Sequence, residues 1–299
     1  MLPIWVLGLF FVMVGLVVGS FINVVVYRLP LGQSVVAPRS RCPACETPIR
    51  ASDNVPVFSW LLLRGRCRSC SVSISARYPI TEALCALLFI LVFLKVSVFL
   101  PDDLAEFGVA SFHGVLLVSL LLAVTLIDLD HFIIPDVLSL PGCLIGLAFA
   151  ALFPAAVGIS WQEAGVGAVA GSGFLLLVAV GYAAVRGREG MGMGDVKLMT
   201  TIGAFLGVKA IPFVIFAAAL QGSLLAVLWI LSSAASTESS TDAVEAQHSG
   251  EEDGDYVAEG EAQPTGLGAV QVPFGPFLAL GAVEWYLFSE YLMGFFPLY

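Results

Sequence analysis

The run MLPIWVLGLFFVMVGLVVGSFINVVVY, residues 1–27, contains no charged side chain. It exceeds the ~18 apolar residues that read as a membrane span. It lacks a basic opening segment and a small-x-small cleavage site, so a retained span is expected, with a cleaved leader as the lesser alternative. Further apolar runs give eight candidate spans at about 4–26, 80–100, 110–128, 137–156, 164–185, 196–208, 210–232 and 273–297. The sixth is short: its thirteen residues rise only ~20 Å as a helix against a hydrocarbon core of ~30 Å, so it has to bend, re-enter or be extended by its neighbours. Seven spans is the count if it does not cross. With 59% hydrophobic and 12% charged residues, the expected fold is an all-α polytopic membrane protein of about eight transmembrane helices.

Charge sets the expected orientation. Eight of the 13 basic residues, Arg28, Arg39, Arg41, Arg50, Arg64, Arg66, Arg68 and Arg77, lie between the first two spans. The positive-inside rule makes that loop cytoplasmic and the N-terminus external. Counting crossings then brings the third span to the cytoplasmic face near Ile127 and starts the sixth from the same face near Asp195, beside Arg186, Arg188 and Lys197. The net charge of −10 is local, because nine of the 23 acids fall between Glu238 and Glu261, where there is no Lys or Arg. That stretch reads as a disordered, solvated loop rather than a surface for a basic partner. Nothing in the chain points to nucleic acid.

The Arg-rich loop holds CPACETPIRASDNVPVFSWLLLRGRCRSC at residues 42–70. Two Cys-x2-Cys pairs, Cys42 with Cys45 and Cys67 with Cys70, can place four thiolates on one tetrahedral ion. Two disulfides are the alternative, and the reducing cytoplasmic side argues for structural zinc. Four protein ligands leave no open position for a water, so a zinc hydrolase is not expected. Arg64, Arg66, Arg68 and Arg77 would favour the thiolates or meet lipid phosphates, or serve only as a topology signal. Cys85 and Cys143 read as small apolar residues of the spans.

Acids at a span edge mark a functional site or a buried pair. Asp128, Asp130 and Asp136 lie in TLIDLDHFIIPD, and Asp195 in GMGD. The orientation puts Asp128 and Asp195 at the same depth. Such a pair suits aspartyl proteolysis, in which one carboxylate takes a proton from water and the other, protonated, polarises the scissile carbonyl. Asp195 at a helix start is the expected base, and Asp128 at a helix end the expected acid. Gly192 and Gly194 can adopt positive φ and leave no side chain in the way of an extended substrate backbone close to Asp195. Asp136 has the plainer reading of a helix cap and Asp130 that of a solvated interfacial acid, while His131 fits the headgroup level. His113 and His248 have no supporting context.

Taken in order, GSFINVVVYRLP at 19–30, the two cysteine pairs, NVPVFSWLLLRGRCRSC at 54–70, ISARYPITE at 74–82, IDLDHFIIPD at 127–136, GMGDVK at 192–197 and VPFGPFLALGA at 272–282 resemble the type IV prepilin peptidase family of bacterial inner membranes. The resemblance implies cleavage of basic leaders from type IV prepilins or type II secretion pseudopilins after a glycine, at the cytoplasmic face. It also implies N-methylation of the new terminus with S-adenosylmethionine. The family's catalytic aspartates match Asp128 and Asp195, and its zinc ligands match Cys42, Cys45, Cys67 and Cys70. No Gly-x-Gly-x-x-Gly after a strand is present, so the methyl transfer rests on resemblance, with a site near Asn54, Trp60 and Glu82 as the guess.

The expected organisation is a first transmembrane helix at 1–26 and a cytoplasmic four-cysteine zinc-binding domain at 27–79, the candidate methyltransferase part. A transmembrane peptidase core at 80–232, an acidic disordered cytoplasmic loop at 233–271 and a last helix at 272–299 follow. Prepilins, pseudopilins and membrane lipid are the expected partners. A peptidase without methyltransferase activity is one alternative. A proton-coupled transporter is another, although it predicts acids deep in the spans and an internal repeat, neither of which is evident.

Overall fold

The structure is a computed structural model and describes residues 3–99, 103–187, 190–244 and 273–295. Among the described residues ten α-helices form: α1 Ile4–Arg28, α2 Phe58–Leu62, α3 Arg77–Phe99, α4 Leu104–His131, α5 Asp136–Leu152, α6 Pro154–Val157, α7 Trp161–Arg186, α8 Met193–Leu206, α9 Ala210–Val244 and α10 Gly275–Phe295. The described residues contain no strand, only two isolated bridges. Each of the eight sequence-predicted spans coincides with a helix. Five of these, α1, α3, α4, α7 and α9, are long and apolar enough to cross a membrane. At 17 residues α5 falls short, α8 has only 14, and α10 carries Glu284 and Glu290.

α4 is the central element. Leu117, Leu121, Val124 and Ile127, at spacings of three and four, are all at most 1% exposed, which is the stripe of a helix wrapped by neighbours. Asp103 caps its start by accepting the Ala105 N–H at 2.8 Å. Its end is a left-handed Phe132, φ 55°, whose N–H returns to the Asp128 carbonyl at 2.9 Å. A bulky residue at positive φ is uncommon, and here it stops the helix directly after the turn that carries Asp128. α7 opens on a capping box between Ser160 and Glu163 and closes on Gly187 at φ 67°.

The short α8 is legible in its packing. Ten of its 14 residues are buried, with α7, α5 and α10 around it, so protein rather than lipid surrounds it and its length need not match the bilayer. Between α7 and α8 the backbones nearly touch: a Cβ on Gly167 would lie 2.7 Å from the Gly203 carbonyl oxygen. Helix association inside a membrane depends on such small-residue contact, because lipid supplies no hydrophobic drive. By contrast α7 and α9 leave most of their spanning windows exposed, as lipid-facing helices do. α9 continues to Val244, beyond the span end expected from composition. Residues 245–272, the remainder of the acidic stretch with His248, lie outside the described residues, as does Arg188.

Candidate active site and four-cysteine cluster

Asp128 stands in the last turn of α4 and Asp195 in the first turn of α8. Both are buried, at 4% and 8% exposure. The two carboxyls are near enough for each to influence the other's ionisation, and the side chain of Ile134 joins their surroundings. A Cβ on Gly194 would meet Ile134 at 3.0 Å, and one on Gly275 would meet Ile134 at 3.1 Å and the Asp128 Oδ2 at 2.5 Å. Oδ2 of Asp128 is buried without a hydrogen-bond partner. The Asp195 backbone is held by its N–H to the Gly192 carbonyl at 3.2 Å.

The other two acids of the group are engaged. Asp130 takes a two-pronged contact from Arg77, at 2.8 Å and 2.7 Å, and Asp136 pairs with Lys197 at 2.6 Å. Asp136 is the first residue of α5, whose N-cap is Pro135, so the expected capping role is replaced by the ion pair. Among the described residues the remaining ion pairs are Arg68 with Asp53 and Lys209 with Glu163. Asp128 and Asp195 belong to none. The sequence therefore supplies four acids, of which two are neutralised by cations and two are buried without one.

One expectation needs correction, on the glycines, and two arginines have partners of their own. Gly192 has φ −70°, and Gly194 is not among the residues of positive φ. Gly192 is an extended N-cap and Gly194 lies within the helical turn, so neither position calls for left-handed backbone. Gly194 instead makes room for Ile134. Among the arginines expected to serve the thiolates or lipid, Arg68 is bound by Asp53 and Arg77 by Asp130. Gly275 is a site residue that residue-by-residue reading overlooked. Its signal was the Phe-Gly-Pro at a helix start, where proline is at home and a missing side chain allows close approach.

His113 is buried between the rings of Phe149 and Phe205, at 5.3 Å and 4.9 Å. His131 is exposed. Counted along α4, His113 is ~22 Å from Asp128 and has no part in the acid pair.

Between α1 and α3 the two cysteine pairs fold as matching turns. Cys42 N–H bonds Thr47 O at 3.1 Å and Glu46 N–H bonds Cys42 O at 2.9 Å. The second turn repeats this, with Cys67 to Val72 at 2.9 Å and Ser71 to Cys67 at 2.9 Å. Glu46 and Ser71 both turn left-handed, φ 55° and 59°, and bridges Arg41 to Pro48 and Arg66 to Ser73 close both turns. The repeat is visible as Cys-x2-Cys-x3-Ile at Cys42 and again at Cys67. All four sulfurs lie within 4.8 Å of one another, and all six cysteines are free, so a metal ion rather than disulfides suits the cluster. Hydrogen bonds from Thr47 pull the Cys45 thiol down to about 6. Backbone N–H groups of Cys70 and Ser69 lower Cys67. Cys70, despite a backbone bond at Val72 that favours its thiolate, is pushed up to about 12 by burial and the neighbouring sulfurs. Four thiols in one place cannot all ionise unaided, which a cation would relieve.

Two of the residues suggested for a methyl-donor site are engaged in the loop's own fold. The Trp60 indole N–H is bound by the Ile74 carbonyl at 3.0 Å, and Glu82 Oε2 accepts the Val57 N–H at 2.7 Å. Both polar groups fold the loop.

A helical membrane protein with a buried, unpaired carboxylate pair and an attached four-cysteine domain has the makings of an intramembrane aspartyl peptidase. Residues 13–96 match the Bacterial Peptidase A24 N-terminal domain and residues 115–227 the Type IV leader peptidase family. Relatives named prepilin leader peptidase/N-methyltransferase include one from Myxococcus xanthus (strain DK1622), 40% identical over 227 residues, covering 75% of this chain and 63% of the relative. Another, from Aeromonas hydrophila, is 38% identical over 240 residues, 72% of this chain and 79% of the relative. A third, from Pectobacterium carotovorum subsp. carotovorum, is 37% identical over 248 residues, 76% and 84%. No solved structure matches the chain. The chain belongs to the type IV leader peptidase family.

Proposed function

We propose that this chain cleaves the leader from type IV prepilins or type II secretion pseudopilins and N-methylates the residue thereby exposed; its relatives' name, prepilin leader peptidase/N-methyltransferase, supports the two activities. The observation that carries the peptidase reading is the burial of Asp128 and Asp195 without cations, beside two neighbouring acids that have them. Asp195, in the first turn of α8, has the helix N-terminus to favour its charged form and acts as base on a water. Asp128, in the last turn of α4 where the dipole disfavours charge, donates its proton to the scissile carbonyl oxygen. After water attacks and the carbon becomes tetrahedral, the proton taken by Asp195 passes to the leaving nitrogen, the C–N bond breaks, and a hydroxyl proton of the tetrahedral carbon returns to Asp128 as the new carboxyl forms. The coupled pair shares these protons, so the roles belong to the resting state.

Cys42, Cys45, Cys67 and Cys70 would hold a structural zinc ion. A tetrahedral ion with sulfurs at about 2.3 Å requires them ~3.8 Å apart, and Cys42 and Cys70 sulfurs are 3.7 Å apart. Zinc would fix the two turns to each other and supply no chemistry at the acids. S-adenosylmethionine as methyl donor follows from kinship alone. The orientation rests on the Arg-rich loop, which places the domain and both aspartates at the cytoplasmic side of a bacterial inner membrane, with α5, α8 and α10 completing eight crossings.

The test is cleavage of a prepilin by the protein reconstituted in vesicles. Asp128→Asn and Asp195→Asn should each abolish cleavage while leaving methyl transfer to a pre-cleaved substrate intact. Full cleavage by either variant removes that residue from the mechanism.

A further inference from the structure

One side chain reaches from the four-cysteine domain to the turn that carries Asp128. Arg77 opens α3 three residues after Ile74, whose N–H closes the second cysteine turn on the Gly65 carbonyl at 2.7 Å. The carbonyl of Ile74 holds the Trp60 indole. From this anchored stretch the guanidinium extends to the end of α4. Nη1 donates to Asp130 Oδ1 at 2.8 Å, Nη2 meets Asp130 Oδ2 at 2.7 Å, and Nη2 also donates to the Leu126 carbonyl at 3.4 Å. Leu126 and Asp130 are two residues before and two after Asp128.

A planar fork with one acceptor on each side of a residue restrains both rotation and axial slip of that turn, as a flexible ammonium would not. Its partners are partly exposed, with side-chain exposures of 43% and 31%, so the pair adds little to overall stability. Its effect falls on geometry. Asp128 Oδ2 is buried without a hydrogen-bond partner, so the carboxyl is placed by the turn on which it stands together with the Gly275 backbone packed against it.

We propose that Arg77 is a positioning residue for the peptidase reaction, transmitting the fold of the four-cysteine domain to the Asp128 turn. This rests on the reading of Asp128 as part of the acid pair. Cleavage thereby depends on a domain that does not touch the reacting atoms.

The experiment measures kcat and KM for prepilin cleavage by the full chain in vesicles. Arg77→Ala is expected to lower kcat about 10- to 100-fold, the scale of a misplaced catalytic group, with KM changed less than about twofold because substrate contacts remain. Arg77→Lys should recover part of the loss, and the exchanged pair Arg77→Asp with Asp130→Arg should recover more than either exchange alone. Cys67→Ser should lower kcat in the unmodified chain and add less than about twofold in the Arg77→Ala background, since both cut one path. Independent, multiplying losses overturn the transmission. Should Arg77→Ala reduce the yield of folded protein, Asp130→Asn, which keeps shape and removes charge, is measured instead, and an unchanged kcat there overturns the proposal. Asp128→Asn is assayed in parallel: if it cleaves normally the acid-pair reading fails, whereas inactive Asp128→Asn beside fully active Arg77→Ala defeats only the role of Arg77.

Discussion

The backbone of Gly275 lies against the carboxyl of Asp128 so closely that a Cβ there would stand 2.5 Å from Oδ2. The start of α10 is therefore a wall of the acid pair, although it follows Asp195 by 80 residues. Gly275→Ala has to push the carboxyl aside or move the helix. Cleavage is expected to fall about 100-fold, with melting temperature nearly unchanged and methyl transfer to pre-cleaved substrate retained. Undiminished cleavage would show that the carboxyl tolerates displacement.

Gly192 and Gly194 separate by what a methyl group would meet. At Gly192 a Cβ finds nothing nearer than 3.9 Å, whereas at Gly194 it meets three Ile134 atoms between 3.0 and 3.4 Å. Gly192→Ala is expected to keep at least half of the cleavage rate unless a substrate backbone passes there. Gly194→Ala should lower it several-fold by pressing Ile134 toward Gly275 and Asp128. Equal rates for both variants would dissociate Ile134 from the site.

The eight helices and the two aspartates were legible in the sequence because hydropathy, charge placement and the price of an intramembrane acid are all local properties. The cysteine cluster was legible for the same reason, through spacing. Gly275, Ile134 and the Arg77 contact were not, because each matters only through a partner that the chain brings back from 53 to 147 positions away. The glycines before Asp195 were misread in a telling way. Their composition suggested unusual backbone, yet ordinary helical entry serves, and what the site uses at Gly194 is the empty volume.

Lys197 sits two residues after Asp195 and pairs with Asp136, but by a single ammonium contact with side-chain exposures of 38% and 55%. Such pairs contribute ~0–1 kcal/mol. No main-chain acceptor of α8 joins the contact, so Asp136→Asn is expected to change kcat less than about threefold and melting temperature by about 2 °C or less. Loss of activity comparable to Asp195→Asn would place Asp136 in the acid pair.

Metal retention should follow the thiols. Protons compete with the metal at every thiol, so apparent affinity weakens as pH falls and more thiols must be deprotonated to bind. Zinc content measured after equilibration is therefore expected to fall as pH is lowered, with Cys45, near 6 without metal, the thiolate that resists protonation longest. Binding at pH 7 should release protons, a whole one of them from Cys70, whose thiol stands near 12 before metal arrives. Calorimetry in buffers of different ionisation enthalpy reads that release, and constant occupancy down to pH 5 would argue against thiolate ligation.

The contact between α7 and α8 sets where Asp195 stands. A Cβ on Gly203 would lie 2.6 Å from the Ala168 nitrogen and closer still to the backbone of Gly167, and neither backbone can yield without separating the helices. Separation would uncover Met199, which lies beside Gly171 of α7 and is now fully buried. Because lipid accepts apolar side chains as readily as protein does, the loss is one of packing and register rather than of hydrophobic burial. Gly203→Val is accordingly expected to leave an inserted protein that has lost cleavage and melts well below the unmodified chain. Gly165→Val on the same helix pair, where a Cβ meets nothing within 4 Å, should behave as wild type. Equal behaviour of the two variants would mean that close backbone approach does not hold α8 in place.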